Sequence, residues 1–301
     1  MKVQVFDYRW REPEPKNFYI EFEGNNGEKF GRKKLWVGHS LSVKLEGKTN
    51  CAGHISPETH EWKKCPKEST GKFKCEYCRS IEGSFVFTAF DGFDSSMLNA
   101  SDLAKIDGEH WVYLAFFGKN MVKIGVSKLS RKLLRQVEQG SAATLFIAKT
   151  PDGIAARQIE TLIRKTGLID KIKTSQKKDF LFTNTSKAEE ILRETLQKHV
   201  HGLDEEYKHL KEHLLAEPEF FDWGKEMKIE KISANVHPLK LKPGEWISGE
   251  IVALKGPFIV LNTGEEFVSF APKDLRGKEV NFELKSPGTH LQNALQNVMF
   301  E

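Results

Sequence analysis

The sequence predicts an α+β fold in which β-rich segments at both ends of the chain flank a central segment of mixed strands and helices. Apolar and polar residues alternate in the N-terminal part, and the central part reads as strand, strand, helix, strand and helix. The C-terminal part is divided by turns that contain Pro and Gly. Because 301 residues exceed what one hydrophobic core spans, we expect three domains, at 1–107, 108–223 and 224–301.

The composition is that of a globular protein with little overall charge. Hydrophobic residues make up 39% and charged residues 29%, and 46 basic against 42 acidic residues give a net charge of +4. Affinity for nucleic acid must therefore come from local basic segments, of which 31–38, 128–135 and 170–178 stand out. No apolar run reaches about 18 residues, and the N-terminus lacks the apolar core of a signal peptide, so we expect a cytoplasmic protein.

The four cysteines of the chain lie close together, in the order Cys51, Cys65, Cys75 and Cys78. In a reducing compartment disulfides are disfavoured, whereas the C-x2-C spacing of the last pair places two thiolates on one tetrahedral ion. The surrounding segment has few apolar residues, and a small loop-rich segment of this kind needs a metal to hold it. We therefore predict a structural Zn²⁺ site. His54 and His60 are nearby, and a site of three cysteines and one histidine stays open.

The segments around the cysteines read as short antiparallel strands. FYIEFEG (18–24), KLWVGHSLSVKLEG (34–47) and GSFVFTAFDGF (83–93) alternate apolar and polar residues and are separated by Gly, Asn and Asp. The first domain is thus predicted to be a small zinc-bearing β domain.

The central domain begins with a predicted hairpin. Its first strand contains Tyr113, its turn is formed by 118–120, and its second strand contains Lys123, Ile124 and Gly125. A helix in 127–140 that ends at Gly140, a strand in 141–150 and an amphipathic helix in 154–168 follow. The predicted order is ββαβα.

Two further predictions concern the rest of the chain. Residues 182–223 are predicted to form a helical arm, because leucines and other apolar residues recur at helical spacing. Residues 237–284 contain five or six short segments separated by Gly-containing turns, which favours a small β-barrel of the SH3-like or OB-like kind. The final residues, 289–301, have apolar residues at helical spacing and are predicted to form a helical tail.

The central motif VYLAFFGKNMVKIGVSKLSRKLLRQVEQGSA (112–142), preceded by GHSLSVKLEGKTNCAGH (38–54), resembles the GIY-YIG nuclease superfamily. The resemblance is to the branch whose second motif reads Lys-Ile-Gly-x-Ser. The same stretch is similar to a widespread prokaryotic family of zinc-containing proteins that is defined only as a domain of unknown function. The resemblance covers about residues 35 to 165.

The resemblance implies roles for particular residues. Tyr113 matches the tyrosine that takes part in activating water, and Glu160 matches the glutamate that holds a divalent cation, Mg²⁺ or Mn²⁺, in the active nucleases. Such a cation polarises the phosphoryl oxygen and neutralises developing charge. Lys123 stands where the second motif has a tyrosine, which is a departure from the active nucleases.

The catalytic arginine of the superfamily falls on Leu133 here, with Arg131 and Arg135 on either side. If the scaffold serves binding instead of cleavage, Lys123, Arg131, Arg135 and Arg157 are expected to contact phosphates, an interaction that weakens with salt. Three functions therefore stay open. The first is a zinc-containing nucleic-acid-binding protein that binds RNA rather than DNA, with the RNA of a ribosomal subunit as one candidate partner. The second is a metal-dependent nuclease, and the third is a homodimeric assembly factor.

Overall fold

The computed structural model describes residues 2–11, 19–25, 30–56, 59, 61–67, 73–82, 90–203, 205–227 and 235–285. The chain divides into two units, one formed by Met1–Ser84 together with Ala234–Glu301 and the other by Phe85–Ser233. In the described part of the chain, we find no helix with the length and apolar character needed to cross a membrane.

The described strands are β1 (Lys2–Arg11), β2 (Tyr19–Asn25), β3 (Phe30–Leu35), β4 (Ser40–Thr49), β5 (His54–Ile55), β6 (Trp62–Lys63), β7 (His110–Gly118), β8 (Met121–Lys128), β9 (Ala143–Thr150), β10 (Leu214–Asp222), β11 (Val236–Pro238), β12 (Trp246–Lys255), β13 (Phe258–Asn262), β14 (Phe267–Phe270) and β15 (Lys278–Lys285). The described α-helices are α1 (Glu76–Glu82), α2 (Ala100–Ile106), α3 (Lys132–Gln139), α4 (Gly153–Lys165), α5 (Thr174–Lys177), α6 (Ala188–His199), α7 (Lys208–Lys211) and α8 (Trp223–Glu226). The chain thus has the α+β composition that the sequence predicts.

The first unit is built on a nine-stranded sheet with the order β11-β14-β13-β12-β4-β15-β1-β2-β3. Strand β4 lies at its centre, between β12 and β15, and its residues Leu41, Val43 and Leu45 are buried. The domain boundaries expected from the sequence place β4 and β12 in different domains, whereas the structure pairs them in one sheet. Strand pairing is a non-local contact, and local sequence patterns carry no information about which strands will meet.

The second unit contains a four-stranded sheet with the order β10-β9-β7-β8. Its elements from β7 to α4 follow the predicted order ββαβα, and α3 ends at Gln139 and is capped by Gly140, whose φ of 72° is left-handed. The hairpin between β7 and β8 turns at 118–120, as predicted, with Lys119 at a φ of 49°. All of β7 is buried, since apolar residues pack against both faces of the sheet.

The two faces of this sheet differ in character. One face packs Val112, Leu114 and Ile124 against apolar residues of α4 and α6 and forms the larger core. The other face is aromatic, and its buried members include Trp111 and Phe146. Helix α3 lies against the aromatic face, where it places the ammonium of Lys132 3.6 Å from the ring centre of Trp111. This contact is a close cation–π interaction.

The predicted helical arm is correct in part and wrong at its C-terminal end. Helices α6 and α7 lie within 182–223, but Leu214–Asp222 forms the edge strand β10, which pairs with β9. The helical spacing that ends at Leu214 is local, whereas the pairing of Leu214 with Ala148 is not. Pro218 lies where the register between β10 and β9 shifts, between Leu214 and Glu219, and proline is tolerated at such an irregularity in an edge strand.

Two predictions fall outside the described residues. The strand expected at 83–93 falls in large part on residues 83–89, and the helical tail expected at 289–301 lies entirely beyond residue 285.

Candidate functional site

The four cysteines come together in the first unit. Cys51 lies two residues after β4, Cys65 two residues after β6, Cys75 just before α1 and Cys78 in its first turn. Their Sγ atoms all lie within 4.8 Å of one another, and in the described part of the chain this is the group of side chains that could hold a metal ion.

The spacing of the sulfurs suits a tetrahedral ion. Four sulfurs at the usual Zn–S distance of about 2.3 Å from a central ion lie about 3.8 Å apart. The Sγ atoms of Cys65 and Cys75 are 3.8 Å apart, and all four cysteines are free of disulfides. The cluster is therefore able to hold a metal ion.

The electrostatics of the cluster also favour binding of a cation. Burial raises the pKa of the thiols of Cys65 and Cys78. The backbone N–H of Cys78 lowers the pKa of Cys75 to about 7. Four adjacent thiolates repel one another, so full ionisation requires a positive ion among them.

His54 lies beside the four cysteines. Its Nδ1 lies 3.3 Å from the Sγ of Cys78, within hydrogen-bonding distance for sulfur. The backbone N–H of Cys75 donates to the Sγ of Cys51 at 3.2 Å. Hydrogen bonds of this type orient ligands and disperse their charge. His60 lies outside the described residues.

A second cluster forms on the aromatic face of the four-stranded sheet, around Tyr113. Tyr113 pairs across the hairpin with Gly125, and a Cβ at Gly125 would lie 2.6 Å from the Tyr113 hydroxyl oxygen. The glycine of the Lys-Ile-Gly motif therefore makes room for the tyrosine ring. The hydroxyl accepts a hydrogen bond of 2.6 Å from Nε2 of Gln139 on α3, and only 1% of the residue is exposed. Burial raises the pKa of Tyr113, and the positive charge of Arg135 opposes this rise.

Lys123 lies on the same face, two residues before Gly125. It is 8% exposed, and its Nζ is 3.4 Å from the carbonyl oxygen of Asp170. Burial, together with the positive charge of Arg135, lowers the pKa of Lys123 to about 8, while Glu160 opposes the change. Lys123 therefore lies in the electrostatic field of both side chains.

Lys177, at the end of α5, joins this cluster. Its ammonium donates to the carbonyl oxygen of Gln139 at 2.8 Å and lies 5.0 Å from the ring centre of Phe117. Burial lowers its pKa to about 7, and the positive charges of Lys123 and Arg135 contribute to the shift. Lys177 belongs to the basic segment 170–178 of the sequence, but only the tertiary structure brings it close to Lys123.

On α4, Glu160 forms an ion pair with Arg157, one turn before it. Glu160 is 6% exposed, and its charge acts on both Tyr113 and Lys123. Five of the six residues predicted for this site are thus brought together: Tyr113, Lys123, Arg135, Arg157 and Glu160. The sixth, Arg131, instead donates to both carboxylate oxygens of Glu138 at 2.6 Å.

The fold and these two clusters define an α+β protein with a four-cysteine candidate metal centre and a basic cluster on a ββαβα unit. Residues 99–279, more than half of the chain, match a family described as "Protein of unknown function (DUF2797)". The chain belongs to this family. No curated protein and no solved structure matches the chain.

Proposed function

We propose that the protein binds nucleic acid, and RNA in particular, through the phosphate backbone at the basic cluster of Lys123, Arg135, Arg157 and Lys177. The observation that carries the proposal is an excess of positive charge in a partly buried place. Four cations face three carboxylates, namely Glu138, whose Oε2 lies 3.8 Å from Nη1 of Arg135, Glu160 and Asp170, and the lysine pKa values are lowered in part by the neighbouring cations. A phosphate among these side chains relieves their mutual repulsion.

The state of Tyr113 and Glu160 favours binding over cleavage. Glu160 is paired with Arg157, and the Tyr113 hydroxyl is buried against Gln139. A carboxylate that is paired with an arginine is less available to hold a cation, and a phenol oxygen that accepts a hydrogen bond is less available to take a proton from water. A nuclease of the GIY-YIG type is the second candidate, and the proximity of Tyr113, Lys123 and Glu160 is the observation in its favour.

The resemblance to the GIY-YIG superfamily stays part of this proposal. It is supported by the element order from β7 to α4 and by the packing of Tyr113 against Gly125. The proposal also includes a small barrel among the strands of 236–285, of the kind that RNA-associated proteins contain. It further includes a ribosomal subunit as the source of the RNA. That the protein forms a homodimer remains a prediction from the sequence.

We further propose that the cysteine cluster holds Zn²⁺ in a structural role. Four thiolates with tetrahedral spacing are typical of zinc or of iron–sulfur chemistry, and four protein ligands leave no open position for a substrate. Metal analysis of the purified protein tests this. One zinc per chain is the expected result, and stoichiometric iron with visible absorption would contradict it.

The test of the proposed function is gel retention of structured RNA and duplex DNA at low salt. We expect wild type to retain RNA, and a variant with Lys123→Gln, Arg135→Gln and Lys177→Gln to retain much less. Arg193→Gln serves as the control, because Arg193 is an exposed cation on α6 that pairs with Glu189. Equal retention by the triple variant and wild type would refute the proposal.

The same gels decide between binding and cleavage. Reactions with and without added Mg²⁺ or Mn²⁺ are compared, and a chelator is avoided because it also competes for the cysteine cluster. Glu160→Gln keeps an oxygen that can accept a hydrogen bond from Arg157. Cleavage that requires the cation and is lost in Glu160→Gln would establish the nuclease.

A further inference from the structure

The first three strands of the nine-stranded sheet carry an ordered group of charges on one face. Arg9 and Arg11 lie on β1, Glu21 and Glu23 on β2, and Arg32 on β3. Strand β2 lies between the other two, and the register places Arg9 opposite Glu21 and Glu23 opposite Arg32. We call these five residues the arginine face.

The other face of the same strands explains why these residues share one side. Trp10, Ile20, Phe22 and Leu35 alternate with the charged residues and are buried. Alternation in an antiparallel sheet leaves the charged residues on the face away from this core. Charged side chains there are expected to be solvated.

The two glutamates are nevertheless buried. Glu21 and Glu23 are 4% and 6% exposed, whereas the side chains of Arg9, Arg11 and Arg32 are 45%, 38% and 55% exposed. The guanidinium groups therefore cover the carboxylates and are themselves open to solvent.

Each guanidinium group forms an ion pair with a buried carboxylate, and that of Arg11 also donates a hydrogen bond. Arg11 Nε lies 3.2 Å from Glu21 Oε2, and Arg9 Nη2 lies 3.7 Å from Glu23 Oε2. Arg32 Nε lies 3.8 Å from Glu21 and 3.6 Å from Glu23, between the two carboxylates. A buried carboxylate costs desolvation and gives little net stability, but its charge holds the paired arginines on this face of the sheet.

The charge of this surface is positive. Three arginines face two glutamates, Lys34 adds a cation on the same side of β3, and Asp7, which lies opposite Glu23, is paired with Arg276. The Nζ of Lys34 lies 5.2 Å from the ring centre of Tyr19. The Tyr19 ring is buried and lies 5.0 Å from the ring of Trp36, which is half-buried. The guanidinium groups thus share this part of the sheet with one partly exposed aromatic ring, that of Trp36.

We propose that the arginine face is a second binding surface for a nucleic-acid strand, with its arginines on successive phosphates. Arg9 and Arg11 are two residues apart on a strand, or about 6.6 Å, and β1 and β3 are about 9.6 Å apart. This gives an array of forks, and a planar fork binds phosphate in a bidentate manner. A partly exposed tryptophan ring beside such cations, that of Trp36, suits stacking on a base of a single strand, whereas an acidic peptide has no groups that require it.

The arginine face belongs to the first unit, and the basic cluster around Lys123 belongs to the second. The two surfaces share no residue. Either one can therefore fail its test without affecting the other.

The test is the salt dependence of binding to a labelled single-stranded RNA of about 20 nucleotides, measured by fluorescence anisotropy on the full chain. In the variant, Arg9, Arg11, Glu21 and Glu23 are all changed to Gln, which leaves the net charge unchanged and no buried carboxylate without its partner. Arg193→Gln with Glu189→Gln, an exposed pair on α6, is the matched control.

Each lost phosphate contact reduces the slope of log K against log salt by about 0.7 for a single strand. Two lost contacts reduce it by about 1.4, so the loss of affinity between about 50 and 200 mM salt becomes about sevenfold smaller than in wild type. The control pair is expected to bind as wild type does. An unchanged slope in the four-residue variant would overturn the proposal.

A second variant, Arg9→Lys with Arg11→Lys, covers the case in which the first does not fold. Lysine keeps the charge and loses the fork, so we expect a lower affinity with an unchanged salt slope. Wild-type affinity in this variant would overturn the proposal. Displacement of the RNA by a polyglutamate peptide as effectively as by unlabelled RNA of equal charge would also overturn it, in favour of an acidic protein partner.

Discussion

Replacing Gly125 with Ala places a methyl group in steric overlap with the hydroxyl end of the Tyr113 ring. The new Cβ would lie 2.6 Å from the hydroxyl oxygen, 2.7 Å from Cζ and 3.0 Å from Cε2 of Tyr113. The ring is buried between the sheet and α3 and cannot move aside without disturbing its neighbours. Overpacking of this kind costs about 1–3 kcal/mol. Displacement of the hydroxyl from Gln139 adds about 1 kcal/mol. We therefore expect Gly125→Ala to lower the free energy of unfolding of this unit by about 3 kcal/mol.

The assay is urea-dependent hydrogen exchange, read in peptides from β7 and β8, because the chain has two units and a single global transition is not assured. Gly31→Ala, read in peptides from β3, is the matched control, because its Cβ would meet nothing within 4 Å. Its effect is expected to be within about 0.5 kcal/mol.

A double-mutant cycle identifies the cause. In a Tyr113→Ala background the ring is gone, so Gly125→Ala is expected to cost less than about 1 kcal/mol. Equal costs of Gly125→Ala in both backgrounds would refute the steric explanation.

Three further predictions concern the buried lysine and the cysteines. Lys123→Met is expected to stabilise the protein at pH 7 by about 3 kcal/mol more than at pH 10.5. The folded pKa of Lys123, about 8, lies below the unfolded value, so its contribution to wild-type stability rises with pH between the two values. Urea titrations at both pH values measure this, and a pH-independent effect of the substitution would contradict it. Removing the metal, by chelation or by Cys78→Ser, is expected to increase hydrogen exchange in peptides from β5, β6 and α1, while β7 and β8 keep their protection. Equal increases in both units would count against a local structural role of the metal. His54→Ala is expected to keep one metal per chain and to weaken its binding by about 10–100-fold in a competition titration, whereas loss of the metal would make His54 a ligand.

The cysteine cluster could be predicted from the sequence because its ligands are close in the chain. Cys75 and Cys78 are joined by one turn, and the segment that contains Cys51 and Cys65 has too few apolar residues to form a core of its own. The elements from β7 to α4 could be predicted for a similar reason. Alternation, helical spacing and the position of Gly140 are local signals.

The remaining features depend on contacts between distant residues. Leu214 continues a helical pattern but pairs with Ala148 in a strand. Lys177 lies in a basic segment with no distinguishing spacing, and only the packing of α5 brings it to Lys123. The burial of Glu21 depends on arginines from two neighbouring strands. No local pattern contains this information.

The most direct test of the central claim is the pH dependence of RNA affinity between about pH 6 and 8.5. Phosphodiesters do not titrate in this range, whereas Lys177, with a pKa of about 7, loses its charge as the pH rises. Binding to the charged form therefore weakens with rising pH, by up to about 30-fold from Lys177 alone. The account predicts this decline in wild type and its absence in a variant with Lys123→Arg and Lys177→Arg, which stays charged. An RNA affinity that is constant with pH in wild type, or that declines equally in the arginine variant, would contradict the account.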